Sequence, residues 1–202
     1  LVIREEVIYA SRLERETLPV FNLESVEFQD DKTFVVTGCG TAIHTMINWI
    51  IKKGIHNIAL INDCKDATEK HQAFIDEHNG NGINMKMFKA DITDIIQLNK
   101  AINQVQEEMP PVKGIIHAAG FMETGLISEL DVKEFRKMLA PKMLGTWNLH
   151  TISLNLPIKH FIVFSSANSL IGLHGHGSAV ATNTFVDFFA HFRMKQGLPC
   201  VA

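Results

Sequence analysis

The chain reads as an α/β domain built on a doubly wound parallel sheet. Three observations predict this. Short apolar runs recur at residues 33–37, 57–62, 85–88, 114–117 and 161–164. Between them lie segments whose apolar residues repeat at helical spacing. The connections are short, and strand follows helix with regularity, which forces parallel strands joined by helical crossovers.

The composition suits one such domain. The chain has 202 residues, of which 46% are hydrophobic, enough to bury a core. Its formal net charge of −3, with no Lys/Arg stripe, excludes a basic nucleic-acid footprint. No apolar run approaches the ~18 residues of a membrane span. The three cysteines, Cys39, Cys64 and Cys200, are far apart. They give neither a zinc spacing nor a disulfide framework, and they point to a reducing, cytoplasmic home. The chain starts at Leu1 and ends on the apolar Cys200, Val201 and Ala202, which read as the start of another strand. The expectation is a piece of a longer polypeptide, truncated before its last strand, so a targeting signal is not judged.

Taken in order, residues 1–4 and 7–10 read as short strands. Residues 12–23 are mixed and contain Pro19, and residues 24–31 are acidic and polar, a linker. None of these carries catalytic chemistry. Residues 33–37 are a strand running into a turn. Ile43, Met46, Ile47, Ile50 and Ile51 then share a helical face, and Gly54 stands just past the helix end, where glycine is preferred. Residues 57–62 are a second strand, 66–77 a polar helix and 79–82 a turn. The third strand, 85–88, leads to Asp91. Ile95, Leu98, Ile102 and Val105 mark a helix that Pro110 and Pro111 stop. Residues 114–117 are a fourth strand. Asp131 reads as the N-cap of a long helix reaching Ile152, with Glu134 closing a capping box. Pro141 predicts a kink or break within it. Residues 161–164 form the fifth strand, apolar throughout. Ser165 and Ser166 follow, then a loop with Gly172, His174, Gly175, His176 and Gly177. A last helix starts near Ala179, with Ala181, Phe185, Phe188, Phe189 and Phe192 on one face.

Open α/β sheets bind ligands at the carboxyl ends of their strands. Residues 37–44 (TGCGTAIH) occupy the turn after the first strand, the place for a glycine-rich dinucleotide loop. Gly38 and Gly40 fit the first two glycine roles of a G-x-G-x-x-G pattern. Ile43 takes the third, where a branched side chain pushes the helix away or narrows the groove. Two readings stay open here: a nucleotide turn, or a tight strand–helix turn without one. Asp63, at the end of the second strand, sits where the adenosine ribose would lie, and its carboxylate suits a free 2′-OH. Asp91 reads either as an adenine-side contact or as a helix N-terminal carboxylate.

Four separated stretches, 91–94 (DITD), 114–120 (GIIHAAG), 139–150 (LAPKMLGTWNLH) and 164–167 (FSSA), resemble the ketoreductase domains of modular polyketide synthases and animal-type fatty acid synthases. Residues 183–199 are similar to them too. The resemblance spans residues 33–202, and residues 1–13 resemble the last strand of the structural subdomain that precedes the catalytic half. It implies a Rossmann-like fold of short-chain dehydrogenase type. It divides the chain into 1–30, the end of the structural subdomain with a linker, and 31–202, the catalytic subdomain. The implied reaction is NADPH-dependent reduction of a β-ketoacyl thioester on an acyl carrier protein, whose other partners are the remaining domains of the parent synthase. The implied NADP(H) contacts are Thr37, Gly38, Gly40, Asp63, Asp91, Ile92, Ala118, Ala119 and Gly120.

In that family a Tyr protonates the developing alkoxide, a Ser hydrogen-bonds it, a Lys lowers the Tyr pKa and an Asn supports the proton relay. The Ser falls on Ser166, the Lys on Lys142 and the Asn on Asn183. Counting from Ser166 or from Asn183 puts the Tyr at position 179, which is Ala179. The single tyrosine, Tyr9, lies in another segment. The family's turn, T-G-G-x-G-G-x-G, has Thr41, Ala42 and His44 at its later glycines. The Arg that meets the 2′-phosphate appears as Asp63. Met122, Glu123 and Thr124 stand where one stereochemical class carries Leu-Asp-Asp, and no Trp lies in the loop before 179. Acid, pyrophosphate turn and 2′-phosphate contact are each altered, so the expectation is a degenerate domain with a structural role. The alternative is a weak NAD(P)H-dependent reductase that keeps Ser166, Lys142 and Asn183 and takes its proton from His174, His176 or water. Those two histidines also read as plain solvent-exposed loop residues, and as a metal pair they have no third ligand. A hydrolase reading of Ser166 fails because no G-x-S-x-G elbow surrounds it. A stand-alone dehydrogenase of another kind fails on the missing Tyr.

Overall fold

The computed structural model describes residues 2–9, 32–38, 40–63, 68–120, 124–126, 128–129 and 131–202. The first two strands, β1 (Val2–Arg4) and β2 (Val7–Tyr9), pair antiparallel with each other. Residues 12–31, which include the linker expected at 24–31, and Cys39, Cys64, Met122 and Glu123 lie outside the described residues.

The main sheet starts at β3 (Thr33–Thr37), which is buried at every position. A strand covered on both faces needs no polar alternation, and β-branched residues fill it well. Then follow α1 (Thr41–Lys52), β4 (Asn57–Asn62), α2 (Thr68–Asn79), β5 (Asn84–Lys89), α3 (Ile95–Glu108), β6 (Val112–His117), α4 (Val132–Ser153), β7 (His160–Val163), α5 (Asn168–Ile171) and α6 (Gly177–Lys195). Five strands pair in the order β5-β4-β3-β6-β7, all parallel. Val201 adds to this edge: its N–H donates to the Phe161 carbonyl and its carbonyl accepts from Val163, both at 2.9 Å. The pairing is a single parallel bridge between Ile162 and Val201.

Alternate strand residues face two cores. Phe34, Val36, Ile58, Leu60 and Ile116 pack with Ile43, Ile47 and Ile50 of α1 and Ile75 of α2. Val35, Ala59, Ile61, Ile115, Phe161 and Val163 pack with α3, α4 and α6. The chain winds from β3 to β5 on one side, then returns to place β6 on the other. The sheet's switch point therefore falls between the carboxyl ends of β3 and β6, the position where open α/β sheets form their crevice. The Ala118 N–H donates to the Thr37 carbonyl there at 2.9 Å.

Four expectations need correction. Asp131 is the N-cap residue of α4, but its side chain caps nothing, so the capping box is not formed. Pro141 does not break α4, which runs on to Ser153. A proline removes one helical donor and leaves the rest; the next turn is held by the Thr146 hydroxyl donating to the Lys142 carbonyl and by Lys142 itself reaching α6. The polar helix, described from Thr68, runs on to Asn79, two residues past its expected end. The last helix begins at Gly177, after the unforeseen single turn of α5, and only part of its phenylalanine face is core: Phe189 is buried and Phe185 packs against the core. Phe188 is 71% exposed and Phe192 37% exposed. The buried face is Ala179, Thr182, Asn183, Val186, Phe189, Ala190 and Arg193. Arg193 misleads the hydrophobic pattern. It lies over the Phe161 ring at 4.0 Å and donates to His150 Nδ1, Ser153 Oγ and the Pro199 carbonyl.

Candidate functional site

Two adjoining cavities open at the carboxyl edge of the sheet. The first, of about 280 Å³, is lined by Gly38, Ile61, Asn62, Asp63, Ala90, Asp91, Ile92, Thr93, Ala119, Gly120 and Pro141. The second, of about 360 Å³, is lined by Ala118, Ala119, Gly120, Met138, Lys142, Ser165, Ser166, Ala179, Thr182 and Asn183. Ala119 and Gly120 are common to both.

The first cavity gathers Gly38, Asp63, Asp91, Ile92, Ala119 and Gly120 from the expected cofactor set. Gly38 has a φ of +128°, and a Cβ there would stand 2.7 Å from Ile43 Cδ1 and 2.9 Å from the Ala118 carbonyl. Only glycine fits this position. Ile43 is 1% exposed and fills the space beneath the turn. Its branched side chain thus enters the core instead of the groove. Thr37 faces inward: its hydroxyl is hydrogen-bonded to His117 Nδ1 at 2.6 Å. Gly40 is exposed at the N-cap of α1. Neither Thr37 nor Gly40 lines either of these two cavities, and Ala118 lines the second one. Asp91 accepts from the Thr93 N–H and hydroxyl, at 2.8 and 2.7 Å, which braces the turn; the helix cap is Asp94 instead.

The donor set suits the adenosine half of a nucleotide. The Asn62 side-chain nitrogen is buried with no partner among the described residues. Asp63 is exposed at the rim as an acceptor. No Lys or Arg is among the described lining residues, so nothing there complements a 2′-phosphate. Asn62 and Thr93 were not singled out in the sequence. The signal for Asn62 was its place beside Asp63 at a strand's carboxyl end.

The second cavity brings together Ser166, Lys142 and Asn183, which come from a loop, α4 and α6. Lys142 Nζ donates to Asn183 Oδ1 at 2.5 Å. Burial holds the Lys142 pKa below its ordinary value, against an opposing pull from the Asp187 carboxylate. Ser166 Oγ accepts from the Asn168 N–H at 3.3 Å, while Ser165 Oγ is buried with no partner among the described residues. Ala179 lies one helical turn before Asn183 and is 5% exposed. Behind the cavity, His117 is fully buried at the end of β6, and burial pushes its pKa down to about 4, helped by the Lys142 charge.

The two loop histidines lie elsewhere. His174 is exposed and His176 is the N-cap residue of α6, and neither lines the cavity. Tyr9 is in β2. Among the described residues no group of three His, Cys, Asp or Glu side chains could hold a metal ion. No helix among them is long and apolar enough to cross a membrane.

Comparison with known proteins gives a consistent picture. The KR domain family model matches residues 32–202. Fusarin C synthetase of Gibberella fujikuroi is 31% identical over 172 residues, covering 85% of this chain and 4% of that protein. Highly reducing polyketide synthase PKS6 of Gibberella zeae is 31% identical over 178 residues, covering 88% of this chain and 7% of that one. The chain therefore spans a small fraction of the curated relatives it matches. Among solved structures, an N-terminal ketoreductase from the macrolactin assembly line superposes with a TM-score of 0.79 at 21% identity, over 88% of this chain and 36% of that chain. A ketoreductase domain from the bacillaene assembly line gives a TM-score of 0.77 at 25% identity, over 83% of this chain and 40% of that chain.

Proposed function

The chain belongs to the KR, or ketoreductase, domain family of polyketide synthases, and from that premise we propose that it is a degenerate ketoreductase domain with a structural role in a larger synthase. The observation that carries the reading is Ala179. It lines the same cavity as Ser166, Lys142 and Asn183, and it presents a methyl group where the family's acid belongs. The described lining residues include no Tyr and no His. A missing general acid lowers a rate by about 10²–10⁴-fold.

On this reading residues 31–202 are the catalytic-type subdomain, and residues 1–30 are the end of its structural companion with a linker. Its partners are an acyl carrier protein and the other domains of the synthase. Gly38, Asp63, Asp91, Ile92, Ala119 and Gly120 would hold a nicotinamide nucleotide, NADP(H) by family, whose chemistry is hydride donation. Ser166 would hydrogen-bond the substrate oxygen. Lys142 and Asn183 would relay a proton to an acid that position 179 no longer supplies.

A second reading, a weak NAD(P)H-dependent β-ketoacyl reductase, is favoured by one observation: the Lys142–Asn183 hydrogen bond is intact. Its acid would be water, because neither His174 nor His176 lines the cavity. Titration of NADPH and NADH, followed by nicotinamide fluorescence, separates the two. No binding of either at millimolar concentration eliminates the weak reductase. Binding followed by turnover of a β-ketoacyl thioester eliminates the degenerate domain. If the cavity is otherwise competent, Ala179→Tyr raises turnover by about 10²–10⁴-fold.

A further inference from the structure

We propose that Lys142 captures carbonyl compounds: its Nζ, presented by Asn183 in the Ser165–Ser166 cavity, condenses with a ketone to form an imine. Choosing the ketone of a β-ketoacyl chain rests on the reading above; the capture itself rests on the cavity.

A lysine nucleophile needs a free amine, room for a carbonyl carbon beside it, and donors for the oxygen that gains charge. Each is present. Most lysines stand in water as ammonium ions, but Lys142 lines a cavity of about 360 Å³, within the size range of small-molecule sites. Its hydrogen-bond partner is the neutral amide oxygen of Asn183, and no carboxylate among the described residues lies in ion-pair contact with it. A neutral partner does not hold the proton as a carboxylate would. Burial favours the free amine further, and exceeds the opposing effect of Asp187, the acidic group that faces it from α6. His117, on β6 behind it, is held neutral by burial. The wall at Ala179 is only a methyl group, so a carbonyl chain can enter where a larger side chain would close the space. Two hydroxyls share that wall. Ser165 Oγ is buried without a partner among the described residues, and Ser166 Oγ accepts one hydrogen bond and keeps its own proton to donate.

The step balances without a redox partner. The Nζ lone pair forms a bond to the carbonyl carbon as the C=O π pair moves to oxygen. An amine proton passes to that oxygen, giving a carbinolamine. The hydroxyl then leaves with a second proton as water, and the carbon–nitrogen double bond forms. No bond in the carbon chain breaks.

The test is reductive trapping in the full-length protein. Sodium cyanoborohydride is added with acetoacetyl-N-acetylcysteamine in one sample and with 2-pentanone in another. Peptide mass mapping then reads the site. The expected result is alkylation of Lys142 about tenfold or more ahead of the surface lysines Lys133, Lys137 and Lys195, because only Lys142 has its amine beside a cavity and its hydroxyls. That selectivity should vanish in urea. Selective trapping by both probes supports the capture and the acyl substrate together. Selective trapping by 2-pentanone alone supports the capture and separates it from the acyl reading. Labelling spread evenly over lysines, or a label that forms without the borohydride and is therefore acylation, overturns the proposal. The wild-type map decides by itself, and Lys142→Arg, which keeps the charge, should lose the labelled peptide.

Discussion

His117 gives the sharpest stability prediction, because it is a fully buried titratable group beside the candidate site. Its ring is 0% exposed, bonded through Nδ1 to the Thr37 hydroxyl and lying against the backbone of Pro141 and Lys142. Burial pushes its pKa from 6.5 to about 4. In the unfolded chain the ring takes up a proton near pH 6.5; in the fold it resists until about pH 4. The unfolded state therefore binds more protons in between, and stability falls as the pH drops through that window. The loss from this one group is about 2 kcal/mol by pH 5 and about 3 kcal/mol by pH 4, relative to neutral pH. His117→Asn is the informative variant. An amide can replace Nδ1 as the partner of Thr37, yet it does not titrate. The smaller side chain leaves space against α4, and the variant should be about 1–2 kcal/mol less stable than wild type at pH 7. Its pH dependence should be shallower, so the two stability curves meet at about pH 5. Urea unfolding at pH 7, 6, 5 and 4.5 measures this. His44, His71, His150 and His160 also have pKa values lowered by burial, but they titrate alike in both proteins and cancel in the difference. Parallel curves would refute the reasoning, since they would mean that His117 gains its proton as easily folded as unfolded.

Three further outcomes follow from named contacts. Arg193→Met should destabilise by about 3–5 kcal/mol, because it strands the buried His150 Nδ1, takes a donor from Ser153 Oγ and the Pro199 carbonyl, and removes the cation over Phe161; urea unfolding at neutral pH reads it. Asp94→Ala should lower the thermal midpoint and Asp94→Asn should largely restore it, because the Asp94 carboxylate accepts from the Ile96 and Gln97 N–H groups at the start of α3; calorimetry decides. Asp63→Ser should raise NADPH affinity about fivefold relative to NADH, by removing about 1 kcal/mol of like-charge repulsion near the 2′ position; parallel fluorescence titrations of both nucleotides measure the ratio.

The sheet was legible because its central strands, β3 and β4, are apolar runs buried almost throughout, and such runs carry their own boundaries. Residues 57–62 were placed to the residue. Helix α1 was equally clear, since Ile43, Ile47 and Ile50 repeat at one face and all are buried. The last helix was harder. Its phenylalanines repeat at helical spacing, but burial follows the line from Thr182 and Val186 to Arg193, and a charged residue at the end of that line disguises it. The cap at Asp131 failed for a different reason: a capping box is a local option that the chain takes only when its geometry allows, and there it does not. Nothing in the periodicity could pair Lys142 with Asn183 or Thr37 with His117. These contacts join residues far apart in the chain through the winding of the sheet, and only the family resemblance had grouped the first pair.

The persistence of Lys142 and Asn183 is weak evidence for catalysis on its own. Their hydrogen bond joins α4 to α6, the two helices that cover the β7 side of the sheet, so each has a structural reason to remain. Position 179 has no such tie. It borders a cavity, and a side chain shortened there leaves no new void inside the packed core. The acid could therefore be lost with little effect on folding, whereas loss of either partner in the Lys142–Asn183 bond would leave a half-buried polar group unmatched. Selection for the fold alone would yield the pattern seen here: an intact helix-to-helix bond, a glycine at position 38 that no other residue can replace, and an alanine at a position that borders the cavity. The same pattern leaves an amine with no charged partner among the described residues beside an open wall, which is the chemical opportunity that trapping at Lys142 examines.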